Sequence, residues 1–208
     1  MWSRWRAAWR EEGVRGLWFR GLGRAGYRRL QIWERPIDLA AAPELPPGFR
    51  LREIGPEDLE RYLRFRADQT EPTLRQRWQR GERCHVVEHG GAIVNCGWSG
   101  TGVATIEFLR CRMVLPSDVV YAFDGATAAP YRRRGLGRVR ALYVAQIYGA
   151  AGFQRVASAT LPENPGARRL QQRLGSRPIG MLRRWPWSAG WIERSWPGSL
   201  RGSRPAAP

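Results

Sequence analysis

The chain has 208 residues and a formal net charge of +17, from 35 basic side chains against 18 acidic ones. That length suits one well-buried domain with an appendage and is short for two full domains. Every basic residue is Arg, which excludes a Walker A phosphate loop because its Lys does not exist here, and which makes part of the basicity compositional. Cys84, Cys96 and Cys111 are odd in number and in no metal-ligand spacing, so neither a disulfide scaffold nor a metal site is expected, and reduced buried thiols are the reading.

Residues 1–41 read as a basic, Trp-rich amphipathic arm. Trp2, Trp5 and Trp9 share one face of a helix while Arg4 and Arg10 point away. The pattern resumes through Trp18, Leu22 and Ala25, but Gly21, Gly23 and Gly26 each weaken a helix by about 1 kcal/mol relative to Ala, so a broken helix is expected. Residues 42–48, rich in Pro, read as a linker. From Phe49 a compact domain is predicted to run through residue 185, with a C-terminal tail at 186–208 whose end is expected to be disordered.

That domain opens with the strand FRLREI and a helix introduced by Pro56, Glu57 and Asp58, residue types that suit a positive helix N-terminus. A second helical piece carries Leu74 and Trp78 at i, i+4. The run CHVVEHGGAIVNCGW reads as a hairpin turning at Gly90 and Gly91, with His85 as a strand residue. Further strands are predicted at 105–112 and 119–127. A helix follows with Leu136, Val139, Tyr143 and Ile147 at helical spacing and ends near Gly152. RVASAT is another strand, and residues 165–174 are a helix with Asn164 as N-cap, Pro165 in its first turn and Gly175 just past its end. The element order implies an α/β domain on a mixed sheet.

The pentapeptide Arg-Gly-Leu-Gly-Arg occurs twice, at 20–24 and 134–138. A backbone phosphate cradle needs glycines where a strand gives way to a helix, so that unpaired amides and the helix dipole converge on the anion. The second copy has that context, after VVYAFDGAT and Pro130 and before an apolar-periodic helix. The first, within GLGRAG, fits a dinucleotide fingerprint only formally, because no strand leads into it.

The stretch YAFDGATAAPYRRRGLGRVRALYVAQ resembles the acyl-CoA-binding motif of the GCN5-related N-acetyltransferases. Arg132, Gly135 and Gly137 match its Arg-x-x-Gly-x-Gly signature. The resemblance extends to ENPGARRLQQRLG, where Asn164, Ala167, Leu170 and Gly175 match that family's Asn-x-x-Ala helix and its stop. It implies a mixed, mostly antiparallel sheet flanked by helices, here preceded by the helical arm. It also implies acetyl-CoA as co-substrate, its pyrophosphate held by the amides and side chains of Arg133, Arg134, Gly135, Leu136, Gly137 and Arg138, and its pantetheine arm pairing with backbone at Thr127 and Ala128. Asn164 joins the cofactor set through the second motif.

Direct attack of an amine on a thioester needs a proton acceptor, and an acid can protonate the leaving thiolate. The family's usual acid is a Tyr, whose position here is Gln171, and Ser176 stands where an aromatic is usual. Glu107 and Asp124, both expected on strands leading toward the cofactor motif, are the candidate bases, with Glu107 preferred; either can instead be an ordinary sheet residue or an Arg partner. The function implied is acyl transfer, chiefly acetyl, from acyl-CoA to a primary amine of a small molecule or protein. A non-catalytic CoA-binding regulatory domain and a membrane-surface interaction protein are the alternatives, the latter through peripheral contact by residues 1–35. Nucleic acid is not favoured, since the Arg bias is chain-wide. No apolar run approaches the roughly 20 residues that span a bilayer, and the N-terminus lacks the apolar core of a secretory signal, so a cytoplasmic, optionally membrane-associated protein is expected.

Overall fold

The structure, a computed structural model, describes residues 26–39, 44–185, 187 and 192–195. Trp2, Trp5, Trp9 and Trp18 of the expected arm, and the first copy of the pentapeptide, lie outside the described residues. The strands are β1 (Arg28–Pro36), β2 (Phe49–Ile54), β3 (Arg83–His89), β4 (Ala92–Gly100), β5 (Val103–Ile106), β6 (Cys111–Val114), β7 (Val119–Thr127), β8 (Arg155–Thr160), β9 (Arg177–Arg184) and β10 (Ile192–Ser195). The helices are α1 (Leu59–Phe65), α2 (Glu71–Gln79), α3 (Leu136–Ala150) and α4 (Pro165–Arg173). The described residues fall into two compact units, one of Arg35–Ala104 with Leu115–Ser158, the other of the remainder.

In the first unit β2, β3, β4 and β7 pair antiparallel in that order and β8 joins β7 in parallel, giving the mixed, mostly antiparallel sheet. The hairpin between β3 and β4 turns at Gly90 and Gly91, whose φ of 56° and 77° only glycine adopts without strain. Alternation along the strands sends two sets of side chains to opposite faces. Ile54, Tyr62, Leu74, Cys84, Val86, Cys96 and Trp98 form a core with α1 and α2, while Val87 and Val94 meet Leu136, and Val120 meets Val144 and Tyr148 of α3. All three cysteines are buried, as reduced thiols.

The buried stripe of α3 is Leu136, Arg140, Val144, Ala145 and Tyr148, one residue out of step with the expected Val139, Tyr143 and Ile147. Tyr143 is 39% exposed. Reading apolar spacing skipped the stripe because Arg140 interrupts it.

The second unit departs more from expectation. Residues 105–112 are not one strand: β5 ends at Ile106, a 3-10 turn covers Glu107–Leu109, and Arg110 takes a left-handed φ of 45° before β6. Arg28–Pro36, expected in the helical arm, is a strand that pairs antiparallel with β9. It buries Ile32 and Trp33, whose indole donates to Thr160 Oγ1 at 2.8 Å. Burial alternates from Arg29 to Ile32 and then continues unbroken through Arg35. β10, inside the expected tail, pairs in parallel with β6. Helix α4 is as expected: Asn164 Oδ1 accepts from Ala167 N at 3.0 Å, Pro165 sits in the first turn, and Gly175 follows the end at φ 72°.

Candidate acyl-donor site

The site is built where β7 outruns its parallel partner. Pairing with β8 ends at Ala122 and Ser158, while β7 continues to Thr127. Beyond Ala122, therefore, that edge of β7 leaves the ladder with β8. The other edge is stitched to β4 across a bulge. Trp98 faces Phe123 and Cys96 faces Ala126, so Asp124 and Gly125 oppose Gly97 alone. Asp124, in this bulge, takes a left-handed φ of 48°.

Asp124 is fixed by charge. Its Oδ1 accepts from Arg66 Nη2 at 2.8 Å and its Oδ2 from Arg77 Nη1 at 2.6 Å. Arg77 in turn lies over the rings of Trp98 and Phe123, at 5.1 and 5.3 Å from their centroids. Both carboxylate oxygens are thus committed to guanidinium groups. Glu107 is exposed on the turn between β5 and β6, in the other unit, and not on a strand as expected.

After Thr127 the chain makes a 3-10 turn at Ala129–Tyr131, and Ala128 N donates to Val94 O at 2.9 Å. Arg132 to Gly135 are exposed; Arg133 has φ 65° and Gly135 φ 79°. A non-glycine residue in the left-handed region is held there by its surroundings, and such strain concentrates at ligand loops. Gly135 is the N-cap of α3. The first amides of a helix lack intrahelical acceptors and carry the positive end of its dipole, so Gly135, Leu136 and Gly137 present donors there. Arg132, Arg133, Arg134 and Arg138 add exposed positive charge around them.

The loop is anchored on the tip of the β3–β4 hairpin. Tyr131 OH and His89 Nδ1 are 3.1 Å apart, Phe49 packs edge-on against Tyr131, and Arg134 lies over the Tyr131 ring at 5.3 Å. No local pattern marks His89 and Tyr131 as partners, because their hydrogen bond spans 42 residues. Asn164 and Gln171 belong to the other unit. Asn164 Oδ1 caps α4, and Gln171 Oε1 accepts from Ser176 Oγ at 2.8 Å, closing the end of the same helix.

The architecture is that of an α/β protein in which the central strand of a mixed sheet leads into a left-handed loop and the N-terminus of a long helix. The family model of the acetyltransferase (GNAT) family matches residues 52–175, and the chain belongs to that family. Among solved structures it is similar to a GCN5-related N-acetyltransferase from Kribbella flavida, at 20% identity and a TM-score of 0.52, covering 74% of this chain and 56% of that one. The matched region thus spans little more than half of the Kribbella protein. It is also similar to the aminoglycoside N-acetyltransferase AAC(6')-Iy in complex with CoA, at 18% identity and a TM-score of 0.50, covering 61% of this chain and 90% of that one. Comparison with curated proteins gives no match.

Proposed function

We propose that this chain transfers an acyl group, chiefly acetyl, from acyl-CoA directly to a primary amine of a small molecule or protein. The observation that carries the reading is the continuity of the free β7 edge at 123–127 with the left-handed loop and amides that open α3. A peptide-like pantetheine arm finds backbone partners along the first, and a pyrophosphate finds converging donors and arginines at the second. These are the groups expected at Thr127, Ala128 and Arg132 to Arg138. The donor brings a thioester, whose carbonyl carbon the amine attacks as the C–S bond breaks.

The chain's own residues divide the remaining work. Asp124 holds Arg66 and Arg77 and shapes the bulge. Glu107, exposed on its turn, is the residue we propose as acceptor of the amine's proton, directly or through water. Gln171 cannot supply a proton, and its carbonyl is already bonded to Ser176, so the thiolate leaves without an acid from α4. That is chemically tolerable, since a thiol with a pKa near 8.5 leaves far more readily than an alkoxide.

Thiol release from acetyl-CoA across a panel of primary amines, aminoglycosides included, tests the reading. Amine-dependent release is expected. Tight CoA binding with no release for any amine would replace the enzyme by a CoA-binding regulatory domain.

A further inference from the structure

We propose that Asn95 and Arg140 are positioning residues that set the ligand-facing edge of β7; the inference rests on the acyl-CoA reading above. Asn95 lies on β4 directly across from Thr127 and is 2% exposed. Its amide nitrogen donates twice, to Ala126 O at 2.8 Å and to Thr127 Oγ1 at 2.7 Å. Its amide oxygen accepts from Arg140 Nε at 2.9 Å. The direction of this relay is dictated by chemistry. A guanidinium only donates, so Asn95 must turn its oxygen to α3 and its NH2 group to β7.

Arg140 occupies a place that an apolar residue of the α3 stripe would fill at less desolvation cost. Space for it exists because two strand residues lack side chains. A Cβ on Gly97 would stand 2.1 Å from Arg140 Nη1, and one on Gly125 would stand 3.3 Å from Nη2. The guanidinium therefore lies flat beneath the bulge at the point where the β4–β7 ladder slips. A bulge loosens pairing and increases twist. The side chain of Asn95 restores two bonds just past it, and Ala128 N to Val94 O and Arg132 Nε to Thr127 O, at 3.3 Å, extend the hold. The free edge of β7 is thereby fixed in register before a ligand arrives, which removes ordering cost from binding.

Asn95→Asp separates this role from plain core stability. The carboxylate still accepts from Arg140, now as an ion pair, but has no donor for Ala126 O or Thr127 Oγ1. With CoA as the probe in calorimetry, we expect about tenfold weaker binding, the scale of one lost hydrogen bond. Melting should stay within about 3 °C of the parent, since the shift for a change of 1 kcal/mol is of that size. In turnover, the KM for acetyl-CoA rises while that for the amine does not. Unchanged CoA affinity in Asn95→Asp overturns the inference. Should that variant fail to fold, Thr127→Val removes the acceptor from the other end with shape conserved: about threefold weaker CoA binding is expected, and parental affinity overturns the inference. Absence of CoA binding by the unmutated chain overturns the acyl-CoA reading instead, and is distinguished because both variants are then compared by amide exchange at Ala128. Faster exchange confined to that end of β7 upholds the positioning role; uniform exchange rejects it.

Discussion

At the scale of single residues, His85 is the group whose burial has the clearest consequence. It is fully buried between β2 and α3, neither ring nitrogen has a hydrogen-bond partner, and Glu53 Oε2 is 3.7 Å from Nε2. Burial pushes its pKa down to about 4, with Arg83 and Arg140 adding to the fall, and only Glu53 opposes it. Tyr143 of α3 packs against the ring. The folded state thus binds the proton less readily than the unfolded chain, whose His titrates near 6.5. The stability that neutral His85 contributes is complete above that pH and is lost as pH falls from about 6.5 through about 4. The maximum loss is about 3 kcal/mol. Urea midpoints at pH 7 and pH 5 should differ in the parent and converge in His85→Leu; a parent midpoint flat over that range contradicts the account. Asp124 gives a second residue-scale test. If it serves the Arg66–Arg77 pair, Asp124→Asn should destabilise by about 2 kcal/mol, less than a fully buried pair because the site is partly exposed. The pH–rate profile of the remaining activity should keep its parental shape, and a profile that loses its rise with pH on the acidic side would make Asp124 the base in place of Glu107.

At the scale of elements, the loop entering α3 and the bulge on β7 make contrasting uses of glycine. A Cβ on Gly135 meets nothing within 4 Å, so Gly135→Ala acts only through its φ of 79° and should cost about 1 kcal/mol. Gly97→Ala drives a methyl into the Arg140 guanidinium and should cost more, about 2 kcal/mol or above by overpacking. Gly135→Asp and Gly137→Asp place a carboxylate against the proposed pyrophosphate and should weaken CoA binding by about 1 to 3 kcal/mol. The same changes at Gly21 and Gly23 should leave CoA affinity alone, and the reverse result would move the site to the first pentapeptide.

At the scale of the whole molecule, the boundary of the domain shifts. A chain starting at Phe49 loses β1, with its pairing to β9 and its buried Ile32 and Trp33. A chain starting at Gly26 keeps them. We expect the longer truncation to lose soluble yield or cooperative thermal melting, and the shorter one to retain CoA affinity. If Trp2, Trp5 and Trp9 form an interfacial face, binding to anionic vesicles should fall in the shorter truncation as well. Equal vesicle binding by the full chain and the chain from Gly26 removes the membrane role. Trp33 takes no part in either case, because its indole is committed to Thr160.

What the sequence determined by itself was local. The glycines at 90 and 91, the cap–Pro–Gly frame of α4, and the strand–loop–helix setting of 119–150 are each fixed by neighbours a few residues apart, where backbone conformation and amide supply are decided. The family resemblance and the candidate loop followed from those. Long-range contacts settled the rest. Arg28–Pro36 is a strand because β9 pairs with it, and β10 forms because β6 lies alongside, neither of which leaves a mark in the nearby sequence. Nothing in the local sequence marks Arg140 as buried; Gly97 and Gly125, over 40 residues and 15 residues away, clear a space for it. Asp124 reads equally as a candidate base and as an Arg partner, and the fold brings Arg66 and Arg77 onto its two oxygens. A charge has no assigned role until the fold shows what desolvates it and what answers it.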